Sequence, residues 1–238
     1  MARPSTPRPP AQPDQRTGRD LLPVLPMTAE VKGGHLWIGG VDTVELAREA
    51  GTALYVMDEA TIRHQLAEYV KWTRYHWKDV DVVYAGKAFL SLAMVKLVDE
   101  EGCSLLCASG GELAYAVRSG FPMERVQMHG NNKTPAELVE GLDAGIGRVV
   151  VDNFEEMERL SALASERGVT QKVLVRVTPG VEADTHDFIM TGAEDSKFGF
   201  GLNQGLAMEA VKRAIALPGL EFDGLHMHIG SQIFALHS

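Results

Sequence analysis

Residues 79–89 read DVDVVYAGKAF, and the fold turns on how that stretch is taken. Val80, Val82 and Val83 suit a short buried strand, and the apolar run stops at Lys87. Residues 91–102, SLAMVKLVDEEG, then take up helical spacing. One ammonium group is therefore set at the carboxyl end of a strand, where open α/β sheets and α/β barrels collect their chemistry. A lysine placed there is a candidate Schiff-base former.

Working outward, similar strand-like runs recur as ALYVM near Tyr55, SLLCA near Leu106, RVQMH near Met128, RVVVD near Val150, KVLVRV near Val175 and GLHMHI near Met227. The steps from Tyr84 to Leu106 to Met128 to Val150 are equal, and each has room for one strand, one helix and two short loops. Such βα repetition predicts a parallel sheet. Ser109 with Glu112, Thr134 with Glu137 and Pro135, and Asn153 with Glu156 are capping-box-like pairs, each directly after a strand. Helix N-termini should then abut the strand ends, a setting that suits a phosphate-bearing cofactor.

Alternation gives directions. In the last run Leu225, Met227 and Ile229 share one face, and Gly224, His226, His228 and Gly230 the other, as when helices cover one side and the second lines a barrel interior. The same parity groups Val83, Ala85 and Lys87, pairs Gln127 with His129, and sets Arg176 with Leu174 and Thr178. The interior end is predicted to be polar and basic. Bland roles compete for each residue: His226 as a hydrogen-bonded core imidazole, Arg176 as a brace for Asp152, and HGNNKT (129–134) as a turn followed by an N-cap.

Composition limits the alternatives. The chain has 238 residues, 45% hydrophobic and 23% charged, with a formal net charge of −9, which fits a globular domain with a sizeable core. No basic stripe with interleaved aromatics points to nucleic acid, and no run has the length of a membrane span. Cys103 and Cys107 lie too far apart along one strand, at about 3.3 Å per residue, to form a disulfide. They read as structural thiols of a cytoplasmic protein.

Residues 1–20 hold five prolines and four arginines, and residues 1–26 read as a disordered tail. Residues 27–50, with Gly33, Gly34, Gly39 and Gly40 around HLWI, read as a hairpin segment separate from the repeat at 51–238. Two chemistries compete for the strand-end cluster: pyridoxal phosphate held on Lys87, and a metal-dependent hydrolase using His226 and His228.

VYAGKAF, LCASGGELAYA, MHGNNKT, VVDNFEE, VRVTPGVEADTHDFIMTGAEDSKFGF and GLHMHIGSQIF occur in this order across about residues 52–234. Together they resemble diaminopimelate decarboxylase, a fold-type III pyridoxal-phosphate enzyme, in its N-terminal part. HIGSQ with HGNNK separates it from the related ornithine and arginine decarboxylases.

The resemblance implies that Lys87 carries the cofactor's aldehyde, His228 stacks on its ring and Ser231 binds its phosphate. It also places Arg176 near the cofactor and makes Ala85, His129 and Asn131 part of the same cavity. No metal is implied. The implied reaction is decarboxylation of meso-2,6-diaminopimelate to L-lysine, by a homodimer when the protein is full length. Non-catalytic pyridoxal-phosphate binding and ornithine or arginine decarboxylation are the neighbouring alternatives.

The implied fold is an incomplete (β/α)8 barrel with about six of eight strands, its N-terminal hairpin belonging to an absent C-terminal β-barrel domain. A chain of that kind is expected to be a poorly active fragment. One departure is Leu106, where the family usually carries an acidic residue.

Overall fold

A computed structural model of the chain describes residues 22–180, 198–203 and 205–230. Most of the expected tail and the call on Ser231 lie outside them. The described chain starts inside that expected tail, with a 3-10 turn at Leu22–Val24 closed by Leu25 N–H donating to the Leu22 carbonyl at 3.2 Å. Contact density divides the molecule into two compact units, 1–68 and 69–238.

The first unit contains a three-stranded antiparallel meander: β1 (Glu30–Lys32), β2 (His35–Ile38) and β3 (Val41–Asp42). Glycine pairs 33–34 and 39–40, all at positive φ, make the two tight turns, as two-residue hairpins require. Asp42 then caps α1 (Thr43–Ala50), its Oδ1 accepting from Val44 N–H at 2.9 Å. Asp58 does the same at the start of α2 (Glu59–His76), accepting from Thr61 N–H at 3.0 Å. Thr61 Oγ1 in turn accepts from Met27 N–H at 2.9 Å. The last of these bonds ties the first turn of α2 to the segment ahead of β1, and the division between the two compact units falls inside α2.

One expected strand does not form. Residues 53–57, ALYVM, have no ladder partner among the described residues, and Tyr55 is 96% exposed. An apolar run becomes a strand only when a neighbour answers its backbone groups.

The second unit is a parallel sheet with helices between its strands. Its path runs β4 (Val83–Ala85), β5 (Ser104–Cys107), β6 (Val126–Met128), β7 (Arg148–Val151), β8 (Gln171–Thr178) and β10 (Leu220–His226), each hydrogen-bonded to the next. A short β9 (Phe200–Gly201) pairs with the end of β8. The predicted rhythm appears in the register: Ala85 faces Leu106, Leu106 faces Gln127, and Gln127 faces Arg148. This is an α/β fold containing six strands of a TIM-like barrel, not closed among the described residues.

The connecting helices are α3 (Leu92–Glu100), α4 (Gly110–Ser119), α5 (Pro135–Ala144), α6 (Phe154–Glu166) and α7 (Leu206–Ala216). All three expected caps form: Ser109, Thr134 and Asn153 accept from Glu112, Glu137 and Glu156 N–H. The reciprocal half of the box closes at Thr134. Glu112 reaches back to Ala108 N–H instead, at 2.7 Å.

The core lies between sheet and helices. Leu105, Cys107, Val126, Met128, Val149, Val151, Val173 and Val175 from the strands meet Val95, Val98, Leu113, Met157 and Leu160 from the helices, all at 2% exposure or less. Cys103 and Cys107 are buried free thiols, and burial pushes Cys107 up to about 12. Among the described residues no helix is long and apolar enough to cross a membrane.

Candidate active site

Lys87 sits in a 3-10 turn, Gly86–Ala88, at the end of β4. Gly86 is buried because a Cβ there would meet the Leu106 carbonyl oxygen at 3.0 Å and Glu112 Oε2 at 3.3 Å. Tyr84 closes the turn, its hydroxyl donating to the Phe89 carbonyl at 2.8 Å. The lysine is thus carried on a short, close-packed turn, its side chain reaching solvent.

His129 follows β6, His226 ends β10, and His228 lies two residues further. All three are half-buried, on the face that alternation assigned them. Burial pushes His129 down to about 3, with His226, Lys87, Lys133 and Arg176 adding to the effect. His226 falls to about 4, through burial and then Arg176, His228, Lys133 and Lys87. His228 is lowered by burial, Lys87 and Arg176. One ammonium on β4 therefore acts on imidazoles from β6 and from the β10 end. The rings of His129 and His226 are neutral at neutral pH, each with one N–H and one lone pair.

Arg176 is 6% exposed and braced by Asp152, Nη1 to Oδ1 at 2.9 Å. The expected brace of this arginine by Asp152 is present. Asp152 Oδ2 also accepts from Gly199 N–H at 3.1 Å, and the guanidinium carbon lies 4.5 Å from the Phe198 ring centre. Ala85, next to the turn, and Asn131, in the bend after Gly130, are both half-buried.

Two features depart from the sequence reading. The N-termini of α4 and α5 are not open to a phosphate: Glu137 Oε1 accepts from Gly110 N–H and Oε2 from Thr134 N–H, both at 2.9 Å. Those amide bonds hold the Glu137 carboxyl below the usual range. Leu225 and Met227 lie on the predicted outer face but stay 56% and 61% exposed, since β10 is an edge of the described sheet.

The sequence reading also missed a buried ion pair. Lys133 Nζ lies 2.9 Å from Glu156 Oε1, the two side chains 1% and 3% exposed. Its only sequence signal is a lysine and a glutamate on successive βα units.

Among the described residues no group of three or more His, Cys, Asp or Glu side chains comes together to hold a metal. A groove of 560 Å³ on the first unit, lined by Ile38, Val41, Leu46, Val56 and Met57 among others, contains none of these site residues.

Residues 59–238 match the family described as pyridoxal-dependent decarboxylase, pyridoxal binding domain. Diaminopimelate decarboxylase from Bacillus methanolicus is 50% identical over 201 residues, covering 84% of this chain and 46% of the relative. The same enzyme from Halalkalibacterium halodurans is 50% identical over 208 residues, covering 87% and 47%. The chain thus spans about half the length of the curated relatives it matches. The crystal structure of diaminopimelate decarboxylase from M. jannaschii in co-complex with L-lysine superposes with a TM-score of 0.78 at 37% identity, covering 87% of this chain and 48% of that one. The fold, the strand-end lysine and the family match agree: this chain belongs to the pyridoxal-dependent decarboxylases and carries their pyridoxal-binding domain.

Proposed function

We propose that this chain is the cofactor-binding part of a cytoplasmic diaminopimelate decarboxylase, which releases one carboxylate of meso-2,6-diaminopimelate as carbon dioxide and leaves L-lysine. The observation that carries the reading is the lysine in the turn at the end of β4, within residues 59–238 that match the pyridoxal-binding domain of the family.

The residues present fit pyridoxal phosphate. His129 Nε2 and His226 Nδ1 are buried without a hydrogen-bond partner among the described residues. Leaving such a group unanswered costs roughly 1–3 kcal/mol, and a ligand with phosphate and ring oxygens can answer it. When bound, the pyridine ring supplies an electron sink for the pair left behind as the carboxylate departs.

In this reading Lys87 would hold the cofactor through its aldehyde and His228 would bind its ring. Arg176, fixed by Asp152, presents a cation that does not swing away. Ala85 and Asn131 line the same cavity, and Ser231 receives the phosphate. The neutral rings of His129 and His226 donate to or accept from bound oxygens without adding charge. The hairpin at 27–50 belongs with a β-barrel domain, residues 51–238 with the cofactor-binding barrel, and the full-length protein acts as a homodimer.

The test is binding followed by turnover. Pyridoxal phosphate added to the chain should produce visible absorbance that Lys87→Ala loses. The carbon dioxide that the loaded chain releases, at the low rate expected of it, should come from meso-diaminopimelate in preference to ornithine or arginine. Preference for either of those substrates would reassign the enzyme within the family, and bound zinc without visible absorbance would overturn the cofactor reading.

A further inference from the structure

Four buried charges lie together at the strand ends of β6, β7 and β8: Lys133, Glu156, Asp152 and Arg176, at 3%, 2%, 4% and 6% exposure. Two have a plain task, since Asp152 braces Arg176. Lys133 and Glu156 have no role in the proposed chemistry, yet a buried ion pair carries a desolvation penalty that surface pairs avoid.

The geometry around Lys133 is specific. Its Nζ donates to the Gly130 carbonyl and to the Val150 carbonyl, each at 2.7 Å. The first belongs to the residue immediately after His129, the second to strand β7. Glu156, on the first turn of α6, lies 2.9 Å from the same nitrogen. Burial raises the Glu156 carboxyl, and Lys133 pulls it back. One ammonium thereby joins the turn behind His129 to the next strand and the next helix. His129 Nε2 is buried with no partner among the described residues, so that nitrogen does nothing to hold the ring.

We propose that Lys133 is a positioning residue: by clamping the Gly130 and Val150 carbonyls, with Glu156 supplying the countercharge, it holds the turn that presents His129 to the ligand cavity. Lys133 does not touch the reacting atoms, and Glu156 keeps its charge tolerable in a dry setting. This inference rests on the cofactor-binding reading for what the cavity receives, though not for the position of the ring.

The decisive variant is the double substitution Lys133→Met with Glu156→Leu. It removes both charges together, avoids leaving one buried alone, and leaves the two carbonyls unclamped. Two readouts are taken on the whole chain: affinity for pyridoxal phosphate by absorbance titration, and the pH midpoint of the His129 imidazole by NMR without cofactor. With the fold retained by circular dichroism, affinity should fall at least about tenfold, and the His129 midpoint should rise most of the way from about 3 to its ordinary 6.5 as the ring leaves its buried place, a larger rise than loss of the Lys133 charge, a lesser cause of the lowering than burial, gives by itself. A variant that matches wild type in both readouts, or that loses only thermal stability, overturns the proposal.

If the wild-type chain binds no pyridoxal phosphate, the functional reading fails while the NMR comparison still tests the clamp. If the double variant does not fold, Glu156→Gln decides. It keeps the ammonium on both carbonyls and should hold the His129 midpoint close to the wild-type value, and a rise toward 6.5 in that variant would overturn the clamp.

Discussion

The middle of the parallel sheet and its two flanks are built for different ends. On β5 to β8 the outward side chains are sealed under helices, and the ionic groups at the strand ends, Lys133 with Glu156 and Asp152 with Arg176, are buried in pairs. On β4 and at the β10 end, Lys87 is exposed, His226 and His228 are half-buried, and Leu225 and Met227 face solvent. The central strands supply buried supports and also carry His129 and Arg176 at their ends, while Lys87 and His228 stand at the two edges of the described path.

The sharpest way to break this comparison is to remove one central charge. Asp152→Ala leaves Arg176 buried without its carboxylate and releases Gly199 N–H, so unfolding in urea should show a loss of about 3–5 kcal/mol. A loss under about 1 kcal/mol would mean that the centre is as tolerant as the flank. Next, Leu105→Ala in the sealed layer should cost about 2–5 kcal/mol, whereas Leu225→Ala, already half in water, should cost less than about 1 kcal/mol in the same assay. Equal losses would erase the distinction.

Acid sharpens the picture from the site's side. His129 and His226 have folded values of about 3 and about 4 against an ordinary 6.5, so the unfolded chain takes up protons that the folded chain refuses. Their contribution is intact above about pH 6.5 and is lost as pH falls toward those folded values. The slope is at most about 1.4 kcal/mol per pH unit for each ring, and less after solvent screening. Changing both rings to Asn should flatten urea stability between pH 6.5 and 5. An unchanged slope would show that the rings are solvated.

The smallest effect is expected at Arg213. It pairs with Glu158 at 3.3 Å and Glu209 at 2.9 Å, all three side chains being well exposed. Arg213→Ala should shift stability by about 0.5 kcal/mol or less after allowing for its packing on Phe154.

What could be read from the sequence follows the same physical line. The equal spacing from Tyr84 to Val150 became ladder register because each βα unit of one length advances the sheet by one strand. Ser109, Thr134 and Asn153 cap their helices because an N-cap needs only local geometry. Alternation put His129, Arg176, His226 and His228 on one side.

The misreadings concern partners distant in sequence. Residues 53–57 have strand composition, yet among the described residues no strand pairs with them. Glu137 looked like a capping residue alone, and its second oxygen fills the N-terminus of α4, 27 positions back in the chain. The HGNNKT stretch read as a turn and an N-cap gave no sign that Lys133 is buried, because burial of a lysine depends on a glutamate and two carbonyls that no local pattern announces.

The central claim is tested most directly by asking which lysine takes the cofactor. The chain is incubated with pyridoxal phosphate, reduced with borohydride so that the bound group stays attached, digested and mapped by mass spectrometry. The account predicts one modified peptide, labelled at Lys87. Label concentrated on any other lysine, or absent altogether, would contradict it.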